Sequence, residues 1–234
     1  MSDNFKNATM IMFMNRLTQL GVLDLWLYVA NHNPSRTIAY HNNQHMLYMA
    51  WLADQFYQSH SSETQGTGDL RNMVAAALFH DYDHTAGVSP DPVNIERAVA
   101  GWRVAYAAIQ PKDIDPAAVE ALIRITEYPY TGPVETLEGK CLRDADLLYT
   151  TVMGDPFVVL RDLKSEMETR LGRTFTQEEM ANGYKDFIRK AELHTETAKL
   201  LRLCGFPVFL LSMALRCDGV QVIAPEHAEE WLKG

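Results

Sequence analysis

Three features of the chain predict an all-α fold. Apolar residues recur at spacings of three and four along nearly its whole length, as one buried helix face requires. The glycines and prolines gather between those stretches. The connections are short, with no long polar linker and no internal repeat. A chain of 234 residues, 47% apolar and 22% charged, has the composition of a folded globular protein and can build one sizeable core. The expectation is therefore a single-domain helical bundle over 1–234, with its motif-bearing core at 38–150 and C-terminal helices over 155–234.

In chain order, the spacing predicts a long helix or a broken pair over 10–30, punctuated at Gly21 and ended by the turn cluster 31–34. A second helix is expected over 40–58. The polar stretch 60–68 reads as a loop, followed by a helix over 69–80 with Asp69 as its N-cap. After Asp81 the glycine- and proline-bearing segment cannot stay helical, so a loop of about ten residues leads into a helix over 93–109. Further helices are expected over 115–127, 139–152, 156–171, 177–203, 208–216 and 226–233, with room for a short strand at 220–223.

Composition narrows the function classes. With 30 acidic and 21 basic residues the net charge is -9 and the isoelectric point about 5.3, so the basic surplus needed to displace counterions from duplex nucleic acid is missing. Cys141, Cys204 and Cys217 are few and widely spaced, with no C-x-x-C pair, which fits a reducing cytoplasm better than a disulfide framework. The first twenty residues interleave Asp3, Lys6 and Arg16 with apolar residues, so no signal peptide is expected. The apolar stretch 204–215 falls short of the roughly 20 residues of a membrane span and reads as a buried helix. Four of the eleven methionines precede Arg16. They suit core gap-filling, or else a groove or a contact in a homo-oligomer. Phosphate-binding P-loop, nucleophile-elbow, His-Glu-x-x-His and dinucleotide-binding patterns are all absent.

The chemistry is carried by histidines and aspartates. His41 and His45 stand four apart, which on a helix puts both on one face. Taken alone the pair is weak evidence, and one solvated and one hydrogen-bonded core histidine is the better reading. The segment Ala75-Ala76-Ala77-Leu78-Phe79 is an apolar helix face that delivers His80, Asp81, Asp83 and His84 at its end. Burying two imidazoles and two carboxylates together is costly without a cation. An exposed helix terminus is the bland alternative, but there the aspartates would oppose the helix dipole. The adjacent His80 and Asp81 can serve one ion only where the helix ends locally, since neighbours on a helix point about 100° apart. Asp146, bracketed by Ala145 and Leu147, supplies an inward carboxylate from another helix, whereas Asp144 is expected to pair with Arg143 or Lys140 at the surface. Two nitrogen and two carboxylate ligands suit Mn²⁺, Fe²⁺, Co²⁺, Ni²⁺ or Zn²⁺.

The order His45, His80-Asp81, Asp146, with 35 residues from His45 to His80 and 65 from Asp81 to Asp146, resembles the H…HD…D signature of the HD superfamily of metal-dependent phosphohydrolases. Tyr40-His41-Asn42-x-x-His45, His80-Asp81-Tyr82-Asp83-His84-x-x-Gly87 and Ala145-Asp146-Leu147 are similar to the catalytic core of cyclic-nucleotide phosphodiesterases. Asn94-Ile95-Glu96 adds a likeness to bacterial HD phosphohydrolases. The resemblance covers 38–150, about half the chain. It implies that His45, His80, Asp81 and Asp146 bind a divalent metal whose bound water becomes the nucleophile, and that His41 protonates the leaving alkoxide. It further implies that His84 serves a second cation such as Mg²⁺, bridged through Asp81, or orients water beside a single ion. Phosphate would be met by Arg97, Arg103, Lys140 or Arg143, and Gln221 stands late enough to hold a base. Tyr128 and Tyr130 either stack on a base or pack on the core. The expected activity is hydrolysis of a small-molecule nucleotide phosphoester, phosphodiesterase-like. The alternatives are a nucleotidase or nucleoside triphosphohydrolase on the same scaffold, and a metal-supported binding module without turnover.

Overall fold

The computed structural model describes residues 3–60, 67–153 and 157–204. Among them there is no strand, and they form an all-α bundle. The broken pair at the N-terminus is α1 (Asp3–Leu20) and α2 (Leu23–His32). They part at Gly21, whose φ of 70° lies in the left-handed region that glycine enters without penalty. Then come α3 (Asn43–His60), α4 (Thr67–Phe79), α5 (Asp91–Ile109), α6 (Pro116–Arg124) and α7 (Leu137–Met153). A π-helical turn over Val158–Leu163 runs straight into α8 (Lys164–Leu171), and α9 (Gln177–Lys190) follows. A last helical stretch starts at 196.

Local chemistry sets these boundaries. Asp115 caps α6 by accepting the backbone N–H of Ala117 and Ala118, with Pro116 at the first helical position. Thr176 and Glu179 form a reciprocal capping box on α9. Gln110 and Gly172 end α5 and α8 in the left-handed conformation.

The centre of the bundle is α4. Every residue from Met73 to Phe79 has 0% of its surface exposed, as expected of a helical stretch that is apolar all round. Its three alanines let α3, α6 and α7 approach closely, and α3 also packs along α7. His45 near the start of α3, His80 just past the end of α4 and Asp146 within α7 therefore lie on three mutually packed helices. Trp102 fills the α5 side of the core and donates its indole N–H to the Pro116 carbonyl.

Four details depart from the sequence reading. The helix expected from 40 begins at Asn43, because Asn42 turns the chain there: its side-chain oxygen accepts the N–H groups of Gln44 and His45. The helix expected from an Asp69 cap begins at Thr67, which puts Asp69 in its first turn. The stretch 177–203 is interrupted at 191–195, where buried Asp144 accepts the N–H groups of His194 and Thr195. Asp144 is thus 0% exposed and acts as a backbone cap across the bundle, not as a surface partner of Arg143 or Lys140. The elements expected at 208–216, 220–223 and 226–233, together with Cys217 and Gln221, lie outside the described residues.

Candidate metal centre and pocket

Four side chains from three parts of the chain meet at one point. His45 Nε2 lies 3.1 Å from His80 Nε2, 3.0 Å from Asp81 Oδ2 and 3.3 Å from Asp146 Oδ1. His80 Nε2 lies 2.9 Å from Asp81 Oδ2 and 3.8 Å from Asp146 Oδ1. Helix α4 ends at Phe79, so His80 and Asp81 occupy a turn and both point to the same place, as the adjacent pair requires. His80 Nδ1 donates to the Ala77 carbonyl at 2.8 Å, which orients the ring with Nε2 aimed at the cluster. His45 is fully buried, and its Nδ1 has no hydrogen-bond partner among the described residues.

Two ring nitrogens and two carboxylate oxygens converging in this way need a positive charge between them, either a proton or a cation. Burial opposes charge on His80, but Asp81 and Asp146 outweigh it and raise its pKa well above the ordinary imidazole value. Burial likewise opposes ionisation of Asp146, and its hydrogen bonds to His45 and His80 reverse this and lower its pKa. His45, His80 and Asp146 present ligand atoms all within 4.8 Å of one another, and the donor set fits a borderline divalent ion. Tyr40 and Tyr149 close the far side, with ring centroids 5.2 and 4.6 Å from that of His45.

Beside this centre stands a second group of His41, His84 and Glu166. His41 lies in the bend before α3, not on the helix, so its nearness to His45, 5.6 Å between ring centroids, comes from the bend and not from helical periodicity. Glu166 Oε1 accepts the backbone N–H of Tyr40 at 2.7 Å and of His41 at 3.2 Å, and its Oε2 accepts His41 Nδ1–H at 2.5 Å. Burial lowers the pKa of His41, but Asp81 and Glu166 together raise it above the ordinary value. The His84 ring lies tilted against that of His41, with centroids 3.9 Å apart, and its Nδ1 accepts the Ala86 N–H, so Nε2 carries the proton. Burial, with His41 alongside, depresses His84 to about 4.

Glu166 is the site residue that the sequence motifs missed. Its signal was weak: it falls three residues after Leu163 and just before Met167, on the apolar stripe of its helix, where a lone carboxylate is out of place. Two asparagines were also missed as supports. Buried Asn33 accepts from Ser35 and from the Asp83 N–H through Oδ1, tying the turn after α2 to the His80–His84 turn. Buried Asn94 accepts both the N–H and the hydroxyl of Thr85, holding the loop behind His84. Its neighbour Glu96 instead pairs with Arg124 at the surface.

The cluster opens into a pocket of about 420 Å³, bounded by Asp146 and Leu147 of α7, by α8 and α9, and by the loop bearing Tyr128 and Tyr130. Tyr128 is exposed and meets Phe187 edge to face at 5.8 Å, whereas Tyr130 packs beneath the Arg143 guanidinium at 4.4 Å. The cations expected to meet phosphate are placed elsewhere. Arg97 pairs with Asp83, and Arg103 with Glu120. Arg143 is buried and donates to the carbonyls of Ile125 and Gly132. None of these three, nor Lys140, lines the pocket. No helix among the described residues is long and apolar enough to cross a membrane. Against protein-family models, curated proteins and solved structures, the chain gives no match.

Proposed function

We propose that the chain is a metal-dependent phosphohydrolase that cleaves a phosphoester of a nucleotide, phosphodiesterase-like, with cyclic nucleotides as the first substrate class. The observation that carries this reading is the meeting of His45, His80, Asp81 and Asp146 at one buried point with the oriented imidazole of His41 beside it. The resemblance of the same residues to the HD signature supports it.

His45, His80, Asp81 and Asp146 would hold the ion, and the convergence of their two Nε2 atoms and two carboxylate oxygens fits that role. A bound divalent cation supplies Lewis acidity and a water of lowered pKa. The remaining work falls to the chain. Glu166 fixes the tautomer and plane of His41 by taking its Nδ1–H, so that the proton on Nε2 is available to the leaving alkoxide. The raised pKa of His41 keeps that proton in place near neutrality. Neutral His84 lies against the His41 ring with Nε2–H free to donate to a water or an ester oxygen, which suits its expected place next to the ion. Tyr40, Tyr149 and Leu147 exclude bulk water from one side.

The charge of the pocket favours a diester over a triphosphate. Its lining carries Asp91, Asp146, Glu166 and Glu179 against a single arginine, which opposes the dense charge of a triphosphate more than that of a diester. The test is hydrolysis by purified protein of cyclic mononucleotides, cyclic dinucleotides, nucleoside mono- and triphosphates and an aryl phosphodiester across Mn²⁺, Mg²⁺, Co²⁺, Ni²⁺ and Zn²⁺. The expected result is metal-dependent turnover of a diester that Asp81→Ala abolishes. Silence on every ester, with metal bound and the fold intact, would leave a binding module as the better reading.

A further inference from the structure

One arginine lines the pocket, and nothing among the described residues engages it. Arg170 sits on the last turn of α8, one turn beyond Glu166 on the same face, and so about 6 Å further along the helix from the His41 pair. It is exposed and has no ion pair or hydrogen bond among the described residues. The neighbouring carboxylates are already committed. Glu166 serves His41 and the backbone of Tyr40, and Glu179 accepts from the Thr176 N–H and from Arg173. The stem of Arg170 is seated against the loop that delivers His84. A Cβ placed on Gly87 would come within 3.1 Å of the Arg170 Cβ, so that loop and α8 touch at this point. A guanidinium at a helix C-terminus gains something from the helix dipole, but that explains neither its place on the pocket wall nor its lack of a partner among the carboxylates of the same lining.

We propose that Arg170 binds an oxyanion of the substrate at the end of the pocket away from the His45–His80 centre, and that the preferred substrate carries a second phosphoryl group besides the ester being cleaved. The planar fork of arginine matches phosphoryl oxygens two at a time. Its distance along α8 from Glu166 sets it beyond the scissile group, which His41 and the four-residue cluster address. With four carboxylates also on the wall, Arg170 is the residue that decides which anions enter. This inference rests on the phosphohydrolase reading for its kinetic test, though not for its binding test.

The kinetic test compares thymidine 3′-(4-nitrophenyl phosphate) with the same ester bearing a 5′-phosphate, so that only the second phosphoryl group differs. Wild-type protein should prefer the 5′-phosphorylated ester. Arg170→Gln should shrink that preference, as a ratio of kcat/KM, by about 10- to 100-fold, and Arg170→Lys should restore part of it, with melting temperatures unchanged. A wild type without preference, or a preference that Arg170→Gln leaves intact, overturns the proposal. If no ester is turned over, the function reading fails alone, and calorimetric binding of thymidine 3′,5′-bisphosphate and thymidine 3′-monophosphate to the Mn²⁺-loaded protein decides. Tighter binding of the bisphosphate that is lost in Arg170→Gln supports the assignment. Equal binding of the two, or binding indifferent to Arg170, sinks it.

Discussion

Glu166 takes the Nδ1–H of His41 at 2.5 Å while its other oxygen holds the backbone of Tyr40 and His41. One carboxylate from α8 thereby fixes both the ring and the bend of chain that carries it, across 125 residues of sequence. If His41 is the acid, His41→Ala should lower kcat by roughly 10²- to 10⁴-fold while metal content and fold survive. Glu166→Gln should remove a negative charge from His41 and lower its pKa, so that the alkaline limb of the rate profile moves to lower pH. Steady-state kinetics over pH, with metal analysis on both variants, would show this. Loss of metal together with rate would mean that His41 is structural.

Asp144 and Asp146 stand two residues apart on α7 and do opposite work. Asp144→Ala should free the buried N–H groups of His194 and Thr195 and cost about 1–3 kcal/mol of stability, with metal still bound. Asp146→Ala should abolish metal binding and also lower the stability of the metal-free protein near neutral pH, since it takes from His45 and His80 a carboxylate that partners them. Denaturant melts and elemental analysis distinguish the two.

Metal should stabilise the fold wherever the ligands are intact. At a free ion concentration 100 times its dissociation constant the gain is about 2.7 kcal/mol, visible as a rise in melting temperature that a chelator reverses. His45→Ala and Asp146→Ala should not respond. A wild-type midpoint indifferent to every divalent ion tried would speak against the centre.

The metal-free protein should lose stability as pH falls from about 6.5 to 4. His84 is depressed to about 4 in the fold, so in that window the unfolded chain binds the proton and the folded one does not, and stability rises with pH. His41 is shifted the opposite way and adds its stability on going down to about 6.5, below which its contribution is constant. Glu166, lowered in spite of burial by its bonds from His41, adds a further loss at lower pH still, when its carboxylate is protonated in the fold. The His84 contribution amounts to roughly 1–3 kcal/mol. Urea unfolding across pH should show a flatter slope in His84→Gln, and an unchanged slope would refute the assignment.

Gly87 has φ of 85°, and a Cβ there would lie 2.5 Å from the Glu166 carbonyl oxygen. Gly87→Ala should push α8 from the His84 loop, cost about 1–3 kcal/mol and slow turnover through the displaced Glu166. Gly21→Ala is the matched control. Its φ of 70° carries similar strain but its surroundings are open, so it should lose about 1 kcal/mol and no activity.

Much of this molecule was legible from its residues in order. The 3.6-residue period predicted the all-α fold because each helix reports its buried face locally, and the apolar run Ala75 to Phe79 marked a buried stretch of α4. The His80-Asp81 turn was equally readable, since a glycine and prolines just beyond it forbid the helix from continuing. What only the tertiary structure decided are relations between distant segments. Asp144 caps a chain segment fifty residues away, Glu166 reaches back to His41, and the arginines expected to meet phosphate are spent on Asp83, Glu120 and two backbone carbonyls. A side chain's partner across the bundle leaves no periodic trace in its neighbours, because it depends on how the helices dock and not on how each one forms.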